Sequence, residues 1–269
     1  MNGARSLMVD GALVDPTDRT LVLDDGLVRG DGVFEGLRQY DRGLRTLEAH
    51  LDRLMRSAAQ VRLDVDRELV SRELREFSAL TVEPNAAVRV IVTRGGQRVI
   101  REEPLPDTST PWRLAPVEHR VTPLLHEAKT LSYAPNMQAE RLAQEAGADH
   151  AMLIRADDRV VLEGPTFSIG WIEGDAIVFP PLASGVLDSI TRRLVREVAE
   201  GVLERECTPE GLVGAEAMAC FSTVAESVAV SEVVGVGAFD VESNRLGELR
   251  RSLADLCRAS ADAPSGPAD

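Results

Sequence analysis

Lysine is almost missing from this chain of 269 residues. Lys and Arg together number 30, yet lysine stands only at position 129, in the stretch HEAKTLSYAPN (126–136), and arginine fills every other basic position. Aromatic residues are scarce at 4%, and the cysteines, Cys207, Cys220 and Cys257, are odd in number and far apart. Such spacing suits reduced thiols and argues against a disulfide framework or a cysteine-bound metal. No apolar run approaches the ~20 residues of a membrane span, and the start MNGARSLMVDG lacks the apolar core of a signal peptide. A cytoplasmic protein without a membrane partner is expected. Positive charge is also short: the formal net charge is −14, which argues against a nucleic-acid partner. His50, His119, His126 and His150 show no ligand spacing. A phosphate loop ending in Gly-Lys, a paired-histidine zinc helix and a Cys-x-x-Cys are all absent, so no metal is expected.

What is present is ordinary for a globular protein, with 44% hydrophobic and 28% charged residues. SLMVDGALVD reads as a hairpin about Asp10-Gly11, and GVFEGLRQY as a strand. TLEAHLDRLMRSAAQV places Leu47, Leu51, Leu54, Met55, Ala58 and Val61 at helical spacing behind Thr46 as N-cap. AAVRVIVTRGG alternates as a strand. REEPLPDTSTPW and the residues to about Pro116 are proline-rich and polar, so a linker is expected at 113–120. It would separate a smaller α/β lobe (1–112) from a larger one (121–260), followed by a disordered tail (261–269). In the second lobe APNMQAERLAQEAG reads as a helix closed by Gly147, and LDSITRRLVREVAEG as another, capped by Asp188. HAMLI, RVVLE, FSIGWIEGDAIVF and AMACFS read as strands, and ELRRSLADLCRAS as a last helix. The mixed order, without a βαβ rhythm, favours an α+β architecture of two lobes.

Lys129 has two readings. An arginine-biased composition leaves a stray surface lysine, or the position requires amine chemistry that a guanidinium cannot perform. If Lys129 held an aldehyde cofactor such as pyridoxal phosphate, an acid would have to pair with the pyridine nitrogen and a cradle would have to hold the phosphate. Glu163, in LEGPT, can supply the acid, although a surface glutamate is the commoner outcome. The backbone of Ile190 and Thr191 opens a helix, where an anion is favoured, although plain capping by Asp188 explains the same residues. Thr223 offers a hydroxyl, and Arg53 a charge-assisted fork.

GDGVFEGLRQY, HLDRL, AKTLSY, EAGADHAML, LEGPTFSI, PPL, GVLDSITR and STVAESVAV occur in an order that resembles the class IV, or fold type IV, pyridoxal-phosphate aminotransferases over residues 7–240. The resemblance implies a two-lobed α+β fold with the cofactor at the lobe interface, a homodimer, and an amino group moved from a small-molecule donor to a 2-oxo acid. It implies Lys129 as the aldimine-forming lysine, Glu163 at the pyridine nitrogen and Tyr133 at the phenolic oxygen. Arg53, Ile190, Thr191, Ser222 and Thr223 would hold the phosphate end. Substrate would meet Phe34, Gly36, Arg38, Arg89, Val224 and Arg29. Departures from the branched-chain members fall in the substrate set. Ala87 replaces the tyrosine of their Tyr-x-Arg, Arg29 replaces an aromatic residue, Ser222 and Val224 replace the first glycine and alanine of Gly-Thr-Ala-Ala, and Ser168 replaces an asparagine. These suggest a D-amino acid donor, with (R)-amines as further substrates. An L-branched-chain aminotransferase and a 4-amino-4-deoxychorismate lyase are the alternatives.

Overall fold

Alternation along GVFEGLRQY and AVRVIVT builds the centre of a six-stranded sheet. The computed structural model describes residues 5–16, 24–125 and 127–262, and the chain forms two compact units. Unit 1 takes residues 1–106, 128–132 and 258–269, and unit 2 takes 107–127 and 133–257.

In unit 1 the strands are β1 (Leu7–Val9), β2 (Ala12–Val14), β3 (Gly32–Tyr40), β4 (Gly43–Leu44), β5 (Ala87–Thr93) and β6 (Arg98–Glu103). Their order is β2-β1-β6-β5-β3-β4, with every pair antiparallel. The helices are α1 (Asp25–Arg29), α2 (Leu47–Gln60) and α3 (Arg67–Leu80). Val33, Leu37, Val88, Val90, Val92 and Ile100 form one core with Leu47, Leu51, Leu54 and Ala58 of α2 and Leu74 and Phe77 of α3. The period of two therefore sends Phe34, Gly36, Arg38, Ala87, Arg89 and Ile91 to the opposite face.

Unit 2 carries β7 (Trp112–His119), α4 (Ala134–Glu145), β8 (His150–Arg155), β9 (Ser168–Glu173), β10 (Ala176–Phe179), α5 (Ile190–Val198), β11 (Val202–Glu204), β12 (Ala217–Ser222), β13 (Glu226–Val233), β14 (Gly237–Ala238) and α6 (Asn244–Ala259). The sheet order is β11-β10-β9-β12-β13-β7-β8, with β14 on β13. Trp171, Phe167, Met218 and Leu114 centre its main core, while Ala139 and Ala143 bring α4 close to Ala115 and Ala151.

Several expectations are corrected. The 113–120 linker is β7, a strand paired with both β13 and β8. Its proline is tolerated because the ladder to β13 stops at Leu114, before Pro116. RVVLE is not a strand but a single bridge of Val161 to Ile154. The tail expected from 261 is still paired at its start, since Ala261 bridges Arg45 and Asp262 N donates to Leu44 O at 3.0 Å. Its remainder, 263–269, lies outside the described residues, as does His126. Thr46 precedes α2 at φ 48° and makes no side-chain cap. Ser189, not Asp188, caps α5 by accepting from Arg192 N at 3.3 Å. Helix α3 and strands β6 and β13 have no counterpart in the sequence reading.

Candidate active site

The segment carrying Lys129 is tied to β3. Phe34 N donates to Lys129 O at 3.1 Å, Leu131 N to Gly32 O at 3.0 Å, and Val33 bridges Thr130. Lys129 N donates to Ser57 Oγ on α2 at 3.0 Å. This backbone stitching delivers the Lys129 Nζ to 4.3 Å from the centroid of the Phe34 ring. Gly32 permits the approach, because a Cβ there would stand 2.5 Å from Val92 O and 2.7 Å from a Leu131 methyl. Arg89 reaches the same ring, its Cζ 5.0 Å from the centroid. Its Nε and Nη2 both donate to Glu103, at 2.8 Å each. Arg38 lies over the Tyr40 ring at 4.9 Å. Arg29 does not join this face. It ends α1 with its side chain 70% exposed, and Nη1 donates to Asp25 at 3.0 and 3.1 Å.

Arg53 is buried on the core side of unit 1, with Nε on Glu35 Oε1 at 2.7 Å and Nη2 on Glu35 Oε2 at 2.8 Å. His50 Nδ1 meets the same carboxylate at 2.9 Å. Burial alone would push the Glu35 carboxyl up, but the Arg53 charge and hydrogen bonds, with His50, outweigh it and hold it well below the usual carboxylate range. Burial pushes the His50 imidazole down from its ordinary value against the pull of Glu35.

In unit 2, Glu163 Oε1 accepts from Leu187 N at 3.0 Å, and the Glu163 backbone carbonyl accepts from Leu153 N at 2.8 Å. The carboxylate is thus oriented by one backbone N–H, and the residue that carries it is fixed by its own carbonyl. Tyr133 donates its hydroxyl proton to Pro165 O, which also accepts from Asn136 Nδ2 at 3.1 Å. Ile190 and Thr191 are buried in the first turn of α5, and this helix packs on β12. At the end of β12 the Ser222 Oγ accepts from Ala225 N at 3.0 Å, closing the turn that presents Thr223 and Val224. Ser168 opens β9 and is buried.

Unit 1 therefore brings Lys129, Phe34 and Arg89 together, and unit 2 holds Glu163, the start of α5 and the Ser222 turn. The donor chemistry fits pyridoxal phosphate: an amine, an oriented carboxylate, and a helix start beside hydroxyl-bearing turns for a phosphate. Glu35, His50, Ser57 and Glu103 were not among the expected residues. The signal for Glu35 was a charge amid Val33 and Leu37 on a core-facing strand side. For Glu103 no local signal exists, since its pairing with Arg89 is a product of strand register. Among the described residues no group of three or more His, Cys, Asp or Glu is placed to hold a metal ion, and no helix is long and apolar enough to cross a membrane.

Residues 32–233 match the family described as amino-transferase class IV. A Methanocaldococcus jannaschii protein ascribed branched-chain-amino-acid aminotransferase activity is 30% identical, covering 92% of this chain and 93% of its own. The D-alanine aminotransferase of Staphylococcus epidermidis is 26% identical, covering 92% and 94%. A structure described as a hypothetical aminotransferase of Mycobacterium tuberculosis in its PLP-bound form shares the fold, with a TM-score of 0.85 at 24% identity over 94% of this chain and 99% of that one.

Proposed function

The chain belongs to the class IV aminotransferases, and from that premise we propose a pyridoxal-phosphate-dependent transaminase that takes D-amino acids in preference to L-branched-chain ones, delivers the amino group to a 2-oxo acid, and works as a homodimer. The observation that carries the preference is the guanidinium of Arg89 over Phe34, beside Ala87 where a branched-chain enzyme would have its tyrosine.

When bound, the cofactor supplies an aldehyde for the donor's amine and a ring that draws electrons from its Cα. Lys129 Nζ would hold the aldehyde, and the same amine would move the proton at the donor's Cα. Phe34 confines that amine from one side. Glu163 would hold a proton at the ring nitrogen, its carboxylate oriented by the Leu187 N–H. The first turn of α5, the Thr223 hydroxyl and the Arg53 guanidinium would hold the phosphate. Ser222 shapes the turn for Thr223 and leaves Val224 toward the substrate, as Gly36 and Arg38 would be. Tyr133 can donate to a cofactor oxygen only by releasing Pro165, because a tyrosine has one hydroxyl proton. Arg29 is a second carboxylate reader only if it parts from Asp25.

A donor screen tests the reading: D-alanine, L-leucine and (R)-phenylethylamine against 2-oxoglutarate, and D-glutamate, L-leucine and (R)-phenylethylamine against pyruvate. D-amino acids are expected to turn over fastest. Faster turnover of L-leucine would transfer the assignment to the branched-chain activity carried by the archaeal relative's name. Release of pyruvate from aminodeoxychorismate without an acceptor would point to the lyase.

A further inference from the structure

The register of unit 1 gives the Arg89–Glu103 pair a defined neighbourhood. Gly36 lies opposite Arg89, and Arg38 opposite Ala87, which in turn lies opposite Glu103. These residues share the sheet face of Phe34, away from the core. The face has a hollow at Gly36, where an added Cβ would meet nothing within 4 Å, while Ala87 beside it is buried. Around the hollow stand Phe34 and the Arg89 guanidinium, whose side chain keeps 34% exposure. Glu103, at 22%, takes both the Nε and the Nη2 of that guanidinium at 2.8 Å. Its Oε1 also stands 3.5 Å from Arg101 Nε, so Glu103 is anchored from two sides.

A carboxylate arriving in the hollow meets Arg89 with this fork already filled. The end-on pair, Nη1 and the outer N–H of Nη2, remains, but a carboxylate taking it stands beside the like charge of Glu103 unless it displaces that residue. We propose that Glu103 is a specificity-determining residue: by holding Arg89 in an ion pair it weakens the grip on a substrate carboxylate, and so sets the balance between amino acids and amines that lack one. The inference rests on the reading of Arg89 as the residue that meets the substrate carboxylate. Glu103 acts through Arg89 and touches no reacting atom, so its effect belongs in binding and not in the proton transfer.

The test compares Glu103→Gln, Glu103→Asp and Arg89→Ala holoenzymes in KM and kcat for D-alanine and in the inhibition constants of propionate and propionamide. Removing the charge in Glu103→Gln should lower the KM of D-alanine and the inhibition constant of propionate by about three- to tenfold, the scale of one screened like charge at a part-exposed site. kcat should move little, and propionamide should bind as before. Glu103→Asp keeps the charge and should stay near the parent. Should Glu103→Gln melt early, Glu103→Ala must shift propionate in the same direction, because it removes the same charge. If Glu103→Gln leaves propionate binding unchanged or weaker while Arg89→Ala weakens it strongly, the role of Glu103 is overturned and that of Arg89 stands. If Arg89→Ala leaves propionate and D-alanine unaffected, the substrate reading itself fails, and the inference falls with it.

Discussion

Lys129 concentrates the amine chemistry of the whole chain in one side chain, which makes a covalent test unusually clean. Borohydride reduction of the yellow holoenzyme, followed by peptide mapping, should place the cofactor on Lys129. Lys129→Ala should leave only the N-terminal amine to react, and a label elsewhere in the parent would contradict the assignment. The buried Glu35–Arg53–His50 cluster carries a second prediction. Glu35 is held ionised, so its contribution is full above its unfolded pKa near 4.3 and is lost as pH falls. His50 is held neutral, so its contribution is likewise present above about 6.5 and lost below it. Both act in one direction but in different windows: urea unfolding should show stability falling below about pH 6.5 through His50, and falling further below about pH 4.3 as the Glu35 contribution is lost. Glu35→Gln should cost about 3–5 kcal/mol at pH 7, because it leaves Arg53 buried without its counter-charge. Lys129 was legible in the sequence because it stood alone, and Glu163 because a resemblance pointed to it. The partners that aim them were not, since Leu187 and Ser57 contribute through hydrogen bonds that no spacing announces.

Among the elements, α5 shows how close a reading can come and still misplace a cap. Asp188 and Ser189 are both good N-caps, and side-chain type alone cannot choose between neighbours. The chain gives the cap to Ser189 and turns Asp188 to Arg193 Nε at 3.0 Å. Ser189→Ala should therefore cost about 1 kcal/mol in urea unfolding and loosen cofactor retention on dialysis. Asp188→Ala should cost less than that, since the Arg193 ion pair it breaks is part-exposed. A reversed order would restore Asp188 as the cap. Elsewhere the elements most legible were those with a strong period, β3, β5, α2 and α4. Strand β7 was hidden by Pro116 and by the polar residues ahead of it, because composition registers proline density without showing which edge of a strand lacks a partner. Helix α3 has its own signals in the sequence, Asp66 as an N-cap residue and Val70, Leu74 and Phe77 at helical spacing, and in the structure Asp66 accepts from Leu69 N at 3.0 Å.

For the molecule as a whole, light scattering should give twice the chain mass if the homodimer is right. Exposed Leu27 and Val28 on α1, 56% and 62% accessible in the single chain, suit burial against a second copy. A monomer with full transaminase activity would contradict the assembly. The α+β class followed from the irregular alternation of helices and strands. The boundary did not, because membership of unit 1 is decided by pairing across long separations: Thr130 with Val33, and Ala261 with Arg45. Those pairings have a consequence for the nascent chain. Unit 1 is finished only when Lys129's segment and then Ala261 and Asp262 have left the ribosome, although most of it is made by residue 106. At ~5–20 residues per second the wait from 106 to 262 lasts roughly 8–30 s. Throughout it, the edge of β3 and the end of β4 lack the segments that close them, and this is the interval in which a chaperone would have the most to bind.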